Sequence, residues 1–367
     1  MPAPKAVCHC ERSEAISRGI ASQKALAMTA SLLDIPLDPD LRPGAHNAVA
    51  VCLAVRAGEK VTLITDRASE EIGASLYREI LEAGAACSVY LLEDFGPRPH
   101  TTMPREILDG LALSQVSVYA VVGQPGELGT RMEMTRVVSE RKIRHAHMIN
   151  INRRIMMEGM RADFRAVDDL SARVMDAVRG ASRIRATTPL GTDITVGLSP
   201  ALRWVKTSGL ISPDHWGNLP GGEIFTCPGE VEGTFVVDGV VGDYLCAKYG
   251  DLAPGPLTVT IAGSRLKSAR SENRGLEREF WEYCHADAES DRVGEFAIGT
   301  NIAVAHVIGH ILQDEKIPGV HIAFGNPAGE QTGADWTSRA HIDIVGTRFS
   351  IWADGRKIMA DGTFVLP

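Results

Sequence analysis

The sequence predicts an α/β protein, with an N-terminal parallel-sheet α/β domain followed by a strand-rich α+β C-terminal domain. Three observations carry this. At 367 residues the chain exceeds the roughly 250 to 300 at which a single core stops growing, so two cores are expected. From Ala48 to Gly180 short β-branched runs alternate with helix-period stretches, the pattern of strand, helix and parallel strand. Beyond Gly180 strand-like runs dominate, and the first of them fold back on a Pro-Gly turn.

Residues 1–27 stand apart. Cys8-His-Cys-Glu-Arg-Ser-Glu14 resembles neither a helix cap nor a signal peptide, which needs an apolar core. A lone Cys-x-Cys also lacks the second ligand pair of a closed tetrahedral metal clip. This segment is read as an extension of doubtful order, with Met28 as an alternative start.

Residues 28–182 are assigned to the first domain. Ala48–Val55 and Val61–Thr65, closed by Gly58 and Asp66, read as buried strands. Ile72, Leu76 and Ile80 then line one face of a helix that Gly84 ends, and Cys87–Leu92 is the next strand. A strand, a helix and a strand in this order imply a right-handed crossover and a parallel sheet. Val116–Val122 is a further strand running into Gly123-Gln-Pro-Gly126-Glu-Leu-Gly129. That stretch has neither G-x-G-x-x-G spacing nor a Walker lysine, and reads as a plain turn. His145 and His147 share one strand face and are given a structural or surface role. Val167, Leu170, Val174 and Val178 stripe a helix over Ala166–Gly180. Gly180 and Ser182 mark the boundary, and residues 183–367 form the second domain, opened by a hairpin over Arg185–Val196 around Pro189–Gly191.

Composition narrows the function. Apolar content of 44% and charged content of 23% are those of an ordinary globular chain. A net charge of −8 argues against a nucleic-acid partner, which requires a basic face. Seven cysteines without CxxC pairs or regular spacing indicate a reducing cytoplasm. No apolar run approaches the roughly 18 residues of a membrane span.

The chemistry concentrates between Asn218 and Asp343. Glu223 follows the flexible Pro220-Gly-Gly222 and precedes a strand-like Ile224-Phe-Thr226. Glu295, in Arg292-Val-Gly-Glu-Phe-Ala-Ile-Gly299, lies between a small residue and an apolar strand. It should be at least half buried, so it must either shift its pKa or pair with a cation, for which Arg292 or a metal would serve. His341 and Asp343, two apart on a strand, face the same way, and an imidazole beside a carboxylate suits a divalent ion. His321 would bring a second imidazole from the preceding strand, with Asp314 and Glu315 just upstream at a helix end. His306 and His310, placed on an apolar helix after Asn301, are expected to pack or to support the ligands from behind. These segments are read together as one metal site in the C-terminal domain.

These residues resemble the aminopeptidase T and aminopeptidase S group of metallo-aminopeptidases. The likeness covers Arg185 to the C-terminus well and the first domain in outline. That family holds a cocatalytic pair of divalent ions through N-x-P-x-G-E, G-E-x-A-x-G, a D-E pair before H-x-A-x-G, and an H-x-D strand. The resemblance therefore implies metal ligation by Glu223, Glu295, Glu315, His321, His341 and Asp343, with Glu223, Glu295 and Glu315 as catalytic carboxylates. It further implies two Zn, Co or Mn ions, a short peptide or related amide as substrate, and a homodimer. Two such ions about 3.5 to 4 Å apart share an activated water. One departure stands out, since the family's tyrosine after H-x-A-x-G is missing from Gly325-Asn-Pro-Ala-Gly-Glu330. The chain is also shorter than typical members. The 2,5-dihydroxypyridine dioxygenases are similar as well, through Asp214-His-Trp216 and the His-x-Asp strand, which would imply a single Fe(II). Their sites carry an apolar residue and a histidine at the places of Glu223 and Glu295. Keeping both carboxylates favours two hard or borderline ions.

Overall fold

The structure is a computed structural model that describes residues 32–366; the Cys8–Glu14 stretch lies outside them. The chain divides into two compact units, one formed by residues up to 160 with 211–219 and the other by 161–210 with 220 onward. The division falls near Met160 rather than at 182. The helix Phe164–Val178 buries Val174, Met175 and Val178 in the core of the second unit, so it belongs there.

In the first unit, β1 (Lys60–Thr65), β2 (Ala86–Leu91), β3 (Val116–Val121) and β4 (Arg144–Ile149) form a parallel sheet in the order β2-β1-β3-β4. The helix Glu70–Glu82 crosses between β1 and β2 with Ile72, Leu76 and Ile80 buried. Asp66 caps the turn before it by accepting from Ser69 N, and Gly84 leaves the helix at φ +76°, a conformation that favours glycine. The expected strand over Ala48–Val55 is instead helical. Arg42–His46 runs on into a π-helical stretch, Asn47–Cys52. Leu41, Ala45, Ala48, Val49, Cys52 and Leu53 are all buried, at three- and four-residue steps that a short apolar run hides.

His145 and His147 are buried on β4. His145 Nδ1 pairs with Ser117 Oγ at 2.8 Å, and its Nε2 meets His147 Nδ1 at 3.3 Å. The His147 ring stacks on Tyr119 and approaches Trp216. Burial drives His145 well below the ordinary imidazole value and His147 down to about 3. An imidazole with a lowered pKa leaves the unfolded chain holding more protons below about pH 6.5, so stability is present above that pH and is lost as pH falls toward 3. Between pH 7.5 and 5.5 the first unit should lose about 2 to 3 kcal/mol. Urea unfolding followed by the fluorescence of Trp216, with the other tryptophans replaced, measures it; equal midpoints at both pH values would contradict a neutral buried pair.

The second unit is built from two antiparallel sheets. β5 (Arg183–Thr187) and β6 (Asp193–Gly197) make the expected hairpin. β7 is Val205–Thr207, and β8 (Gly217–Asn218) pairs with β4 in the first unit's sheet. There follow β9 (Glu223–Thr226), β10 (Glu230–Val237), β11 (Leu257–Ala262), β12 (Arg265–Arg270), β13 (Val293–Gly299), β14 (Gly319–Gly325), β15 (His341–Val345), β16 (Ser350–Ala353), β17 (Arg356–Ala360) and β18 (Thr363–Phe364). The larger sheet runs β12-β11-β10-β6-β5-β16-β17-β18 and the smaller β15-β14-β13-β9-β7. Phe235, Phe280, Phe296, Phe324 and Phe349 lie in a single core to which both sheets contribute. The α/β architecture is therefore as expected, a parallel sheet first and antiparallel strands after it. Among the described residues no helix is long and apolar enough to cross a membrane.

Candidate metal centre

The smaller sheet sorts its residues by parity. Ile224, Phe296, Ile298, Ile322, Phe324, Ile342 and Ile344 enter the core, so with a period of two the odd-numbered neighbours occupy the other face. Glu223, Glu295, His321, His341 and Asp343 are all odd-numbered. Register then aligns them. Glu295 pairs with Ala323 and Ala323 with Asp343, while Ala297 pairs with His321 and Gly299 with Glu223. Alanine and glycine at 297, 299 and 323 keep the floor of this face low. A bulge between Val293 and Glu295 re-aims the start of β13 beside it.

Two glycines bring the Glu223 turn in. A Cβ on Gly221 would lie 2.3 Å from Gly209 N, and one on Gly222, whose φ is +125°, would lie 2.6 Å from Asn301 Cβ. The chain thus enters β9 against the backbone of its neighbours, where only glycine fits.

Four of the six expected ligands are at most 7% exposed. Glu223, Glu295, His321 and Asp343 are buried, Glu315 nearly so, and His341 is the outermost with a side chain 40% exposed. His321 Nε2 lies 3.3 Å from Glu295 Oε1 and 3.5 Å from Glu223 Oε2. His341 Nε2 lies 3.8 Å from Glu295 Oε2 and 3.3 Å from Asp343 Oδ1. His341 Nδ1 sits 3.1 Å from the Asn326 carbonyl; that contact requires the proton on Nδ1 and leaves Nε2 facing the carboxylates. Potential ligand atoms gather into three groups: Glu223, Glu295 and His321; Glu295, His341 and Asp343; Glu315, His321 and Asp343.

Other expectations change. Asp314 is not among the gathered groups; its carboxylate accepts the N–H groups of Ile308 and His310. Those bonds, with Gly309 at φ +76°, hold residues 302–310 in turns where an apolar helix carrying His306 and His310 was expected. Only Ile311–Asp314 is helical there. Arg292 does not neutralise Glu295. It pairs with Glu289 and lies over the Trp336 ring at 4.3 Å.

The cation found instead is Lys316, which the sequence reading passed over. Its Nζ is 2.6 Å from Glu223 Oε1 and 2.6 Å from Glu315 Oε1, and Thr207 Oγ1 donates to the same Glu223 oxygen at 2.9 Å. Its one trace in the sequence is its place directly after Glu315.

The electrostatics follow from four carboxylates confined with one ammonium. Burial works against the charge on His321, yet the hydrogen bond it donates to Glu295 and the charges of Glu223 and Asp343 lift it to about 9. Burial likewise opposes the charge on His341, but Asp343 and Glu295 hold it well above its ordinary value. Asp343 is buried too, and His341 nonetheless brings it down to about 2. Burial raises Glu315 to about 8; Lys316 only partly opposes this, and Asp343 and Glu223 add to it. Burial also opposes the charge on Glu223, but Lys316 and His321 carry it below the usual carboxylate range.

This arrangement fits a divalent metal. Glu223 Oε2, His321 Nδ1 and Asp343 Oδ1 are buried without an aligned hydrogen bond among the described residues. Asp343 Oδ1 keeps a contact of opposite charges with His341 Nε2 at 3.3 Å. Buried orphan oxygens are costly unless something binds them, and carboxylate oxygens with imidazole nitrogens form the donor set of a borderline divalent ion.

Comparison with known proteins agrees with this chemistry. A model of the thermophilic metalloprotease family M29 matches residues 144–352. Among solved structures, wild-type AmpT from Thermus thermophilus is similar at 17% identity and a TM-score of 0.66, over 89% of this chain and 99% of that one. A 2,5-dihydroxypyridine dioxygenase from Pseudomonas putida KT2440 is similar at 14% identity and a TM-score of 0.65, over 89% and 97%. At such identities both show the fold alone. No curated protein matches. The family match takes in more than half of the sequence, including all six of the gathered residues, and the chain accordingly belongs to the M29 family of thermophilic metalloproteases and is a metallopeptidase.

Proposed function

We propose that the protein is an aminopeptidase that releases N-terminal residues from short peptides, or hydrolyses a related small amide, with two divalent ions of Zn, Co or Mn. One observation carries the two-ion reading. Glu295 belongs to two of the ligand groups and turns one oxygen toward His321 and the other toward His341, the posture of a bridging carboxylate. Glu223 and His321 complete one position, and His341 and Asp343 the other. Two ions held by these residues would supply water activation at neutral pH and polarisation of the scissile carbonyl. Glu315 serves as the proton carrier. Burial and the charges of Asp343 and Glu223 raise its affinity for a proton in the metal-free protein, and it would accept the proton of the attacking water and give it to the amine as the C–N bond breaks. The family's tyrosine has no counterpart in Gly325–Glu330, which would leave the metal positions to stabilise charge on the carbonyl oxygen.

Purified protein supplied with Zn, Co or Mn should hydrolyse amino-acid p-nitroanilides and dipeptides and lose that activity to a chelator. Silence toward every such substrate would sink the proposal. Oxygen uptake with a dihydroxypyridine and Fe(II) would move the protein to the dioxygenase reading, which shares the fold.

A further inference from the structure

We infer that Lys316 makes the two ion positions unequal, so that the centre fills in order: the position of Glu295, His341 and Asp343 first, and that of Glu223, Glu295 and His321 only at higher ion supply. The inference rests on the two-ion reading and adds to it a regulation by metal availability.

Lys316 is a fixed cation. Its side chain is 2% exposed, and an ammonium so deeply buried persists only when paired. Its backbone is also tied, the N–H donating to Gln313 O at 2.9 Å and the carbonyl accepting from Asn301 N at 3.0 Å. It cannot withdraw when an ion arrives without leaving Glu223 and Glu315 uncompensated.

Its contacts divide the ligand groups. Lys316 holds Glu223, which belongs to one group, and Glu315, which belongs to another. The group of Glu295, His341 and Asp343 contains neither of its partners. At the Glu223 position Lys316 and Thr207 both occupy Oε1, so Glu223 has only Oε2 to offer, the oxygen that has no hydrogen bond among the described residues. An ion there gains one oxygen in place of two and sits beside a permanent positive charge. Like charges a few ångströms apart in a partly buried site cost enough to weaken affinity by about tenfold or more. The inner position is thus the weaker, and a half-filled centre is the resting form when ions are scarce.

The test is a Zn titration of metal-stripped full-length protein, by calorimetry and by metal analysis after graded chelation. Wild type should bind two ions with affinities at least about tenfold apart, and moderate chelator should leave one ion per chain. Lys316→Met should tighten the second ion and narrow the gap, whereas Lys316→Arg, which keeps the charge, should preserve it. Two ions of equal affinity in wild type would overturn the inference while leaving the two-ion reading intact, a result that needs no variant to fold. A gap unchanged by Lys316→Met in folded protein would overturn it too. Saturation at one ion in every protein would defeat the two-ion reading itself and the inference with it.

Discussion

Replacing Glu295 by alanine should strip the centre and stop turnover. Metal retained after gel filtration is expected to fall below one ion per chain, and kcat/KM to drop by about four orders of magnitude, roughly 5 kcal/mol of transition-state stabilisation. No other side chain is common to both proposed ion positions, which is why its loss should exceed that of Glu223 or Asp343. The fold should survive, because the core neighbours Phe296 and Ile298 are untouched and the removed carboxylate faces away from them. A second readout is independent of metal. Glu295 helps to hold both imidazoles protonated, so the NMR titrations of His321 and His341 in metal-free protein should move to lower pH. Glu295→Gln keeps the shape without the charge and should behave in the same way. Full metal content and activity in either variant would show that Glu295 bridges nothing.

Much of this centre was legible in the sequence because strand periodicity is simple. His341 and Asp343, two apart between isoleucines, had to share a face. Glu295 between glycine and an apolar run had to be buried. His321 fell into place by the same parity, and the pairing of β13, β14 and β15 brings these odd positions together. What stayed hidden was of a different kind. Ala48–Val55 is apolar at every step, so period two and period three to four cannot be separated, and the run is helical in the structure. Residues 302–310 posed the same ambiguity, and a carboxylate outside that run, Asp314, resolved it by capturing two of their N–H groups. Lys316 was missed because composition places lysine at the surface. Only the convergence of Glu223 and Glu315 in space makes a buried ammonium tolerable there, and no local pattern records such a convergence.

The same electrostatics make metal binding strongly dependent on pH, with a sign that can be worked out. In metal-free protein burial is outweighed by the carboxylates, which lift His321 to about 9 and His341 above its ordinary value, so at pH 7 the ion at each position must displace the proton of its own imidazole. Affinity should therefore rise with pH by up to about tenfold per unit at each position, and the product of the two binding constants by up to about a hundredfold per unit. His341 is 40% exposed, and solvent screening reduces its share. Stability of the metal-free protein runs the other way. The raised imidazoles contribute fully below about pH 6.5 and lose that contribution as pH climbs through about 9, while the raised Glu315 costs stability increasingly from about pH 4.5 to 8. Asp343, lowered to about 2, contributes above about pH 4 and loses that only as pH falls through 2. The metal-free second unit should hence be most stable in mildly acidic solution, and the rise in Tm on adding Zn should grow from pH 6 to pH 8. Calorimetry in two buffers of different ionisation enthalpy should count between about one and two protons released per filled centre at pH 7. Binding without proton release, and with equal affinity at pH 6 and pH 8, would mean that the carboxylates do not hold these imidazoles charged.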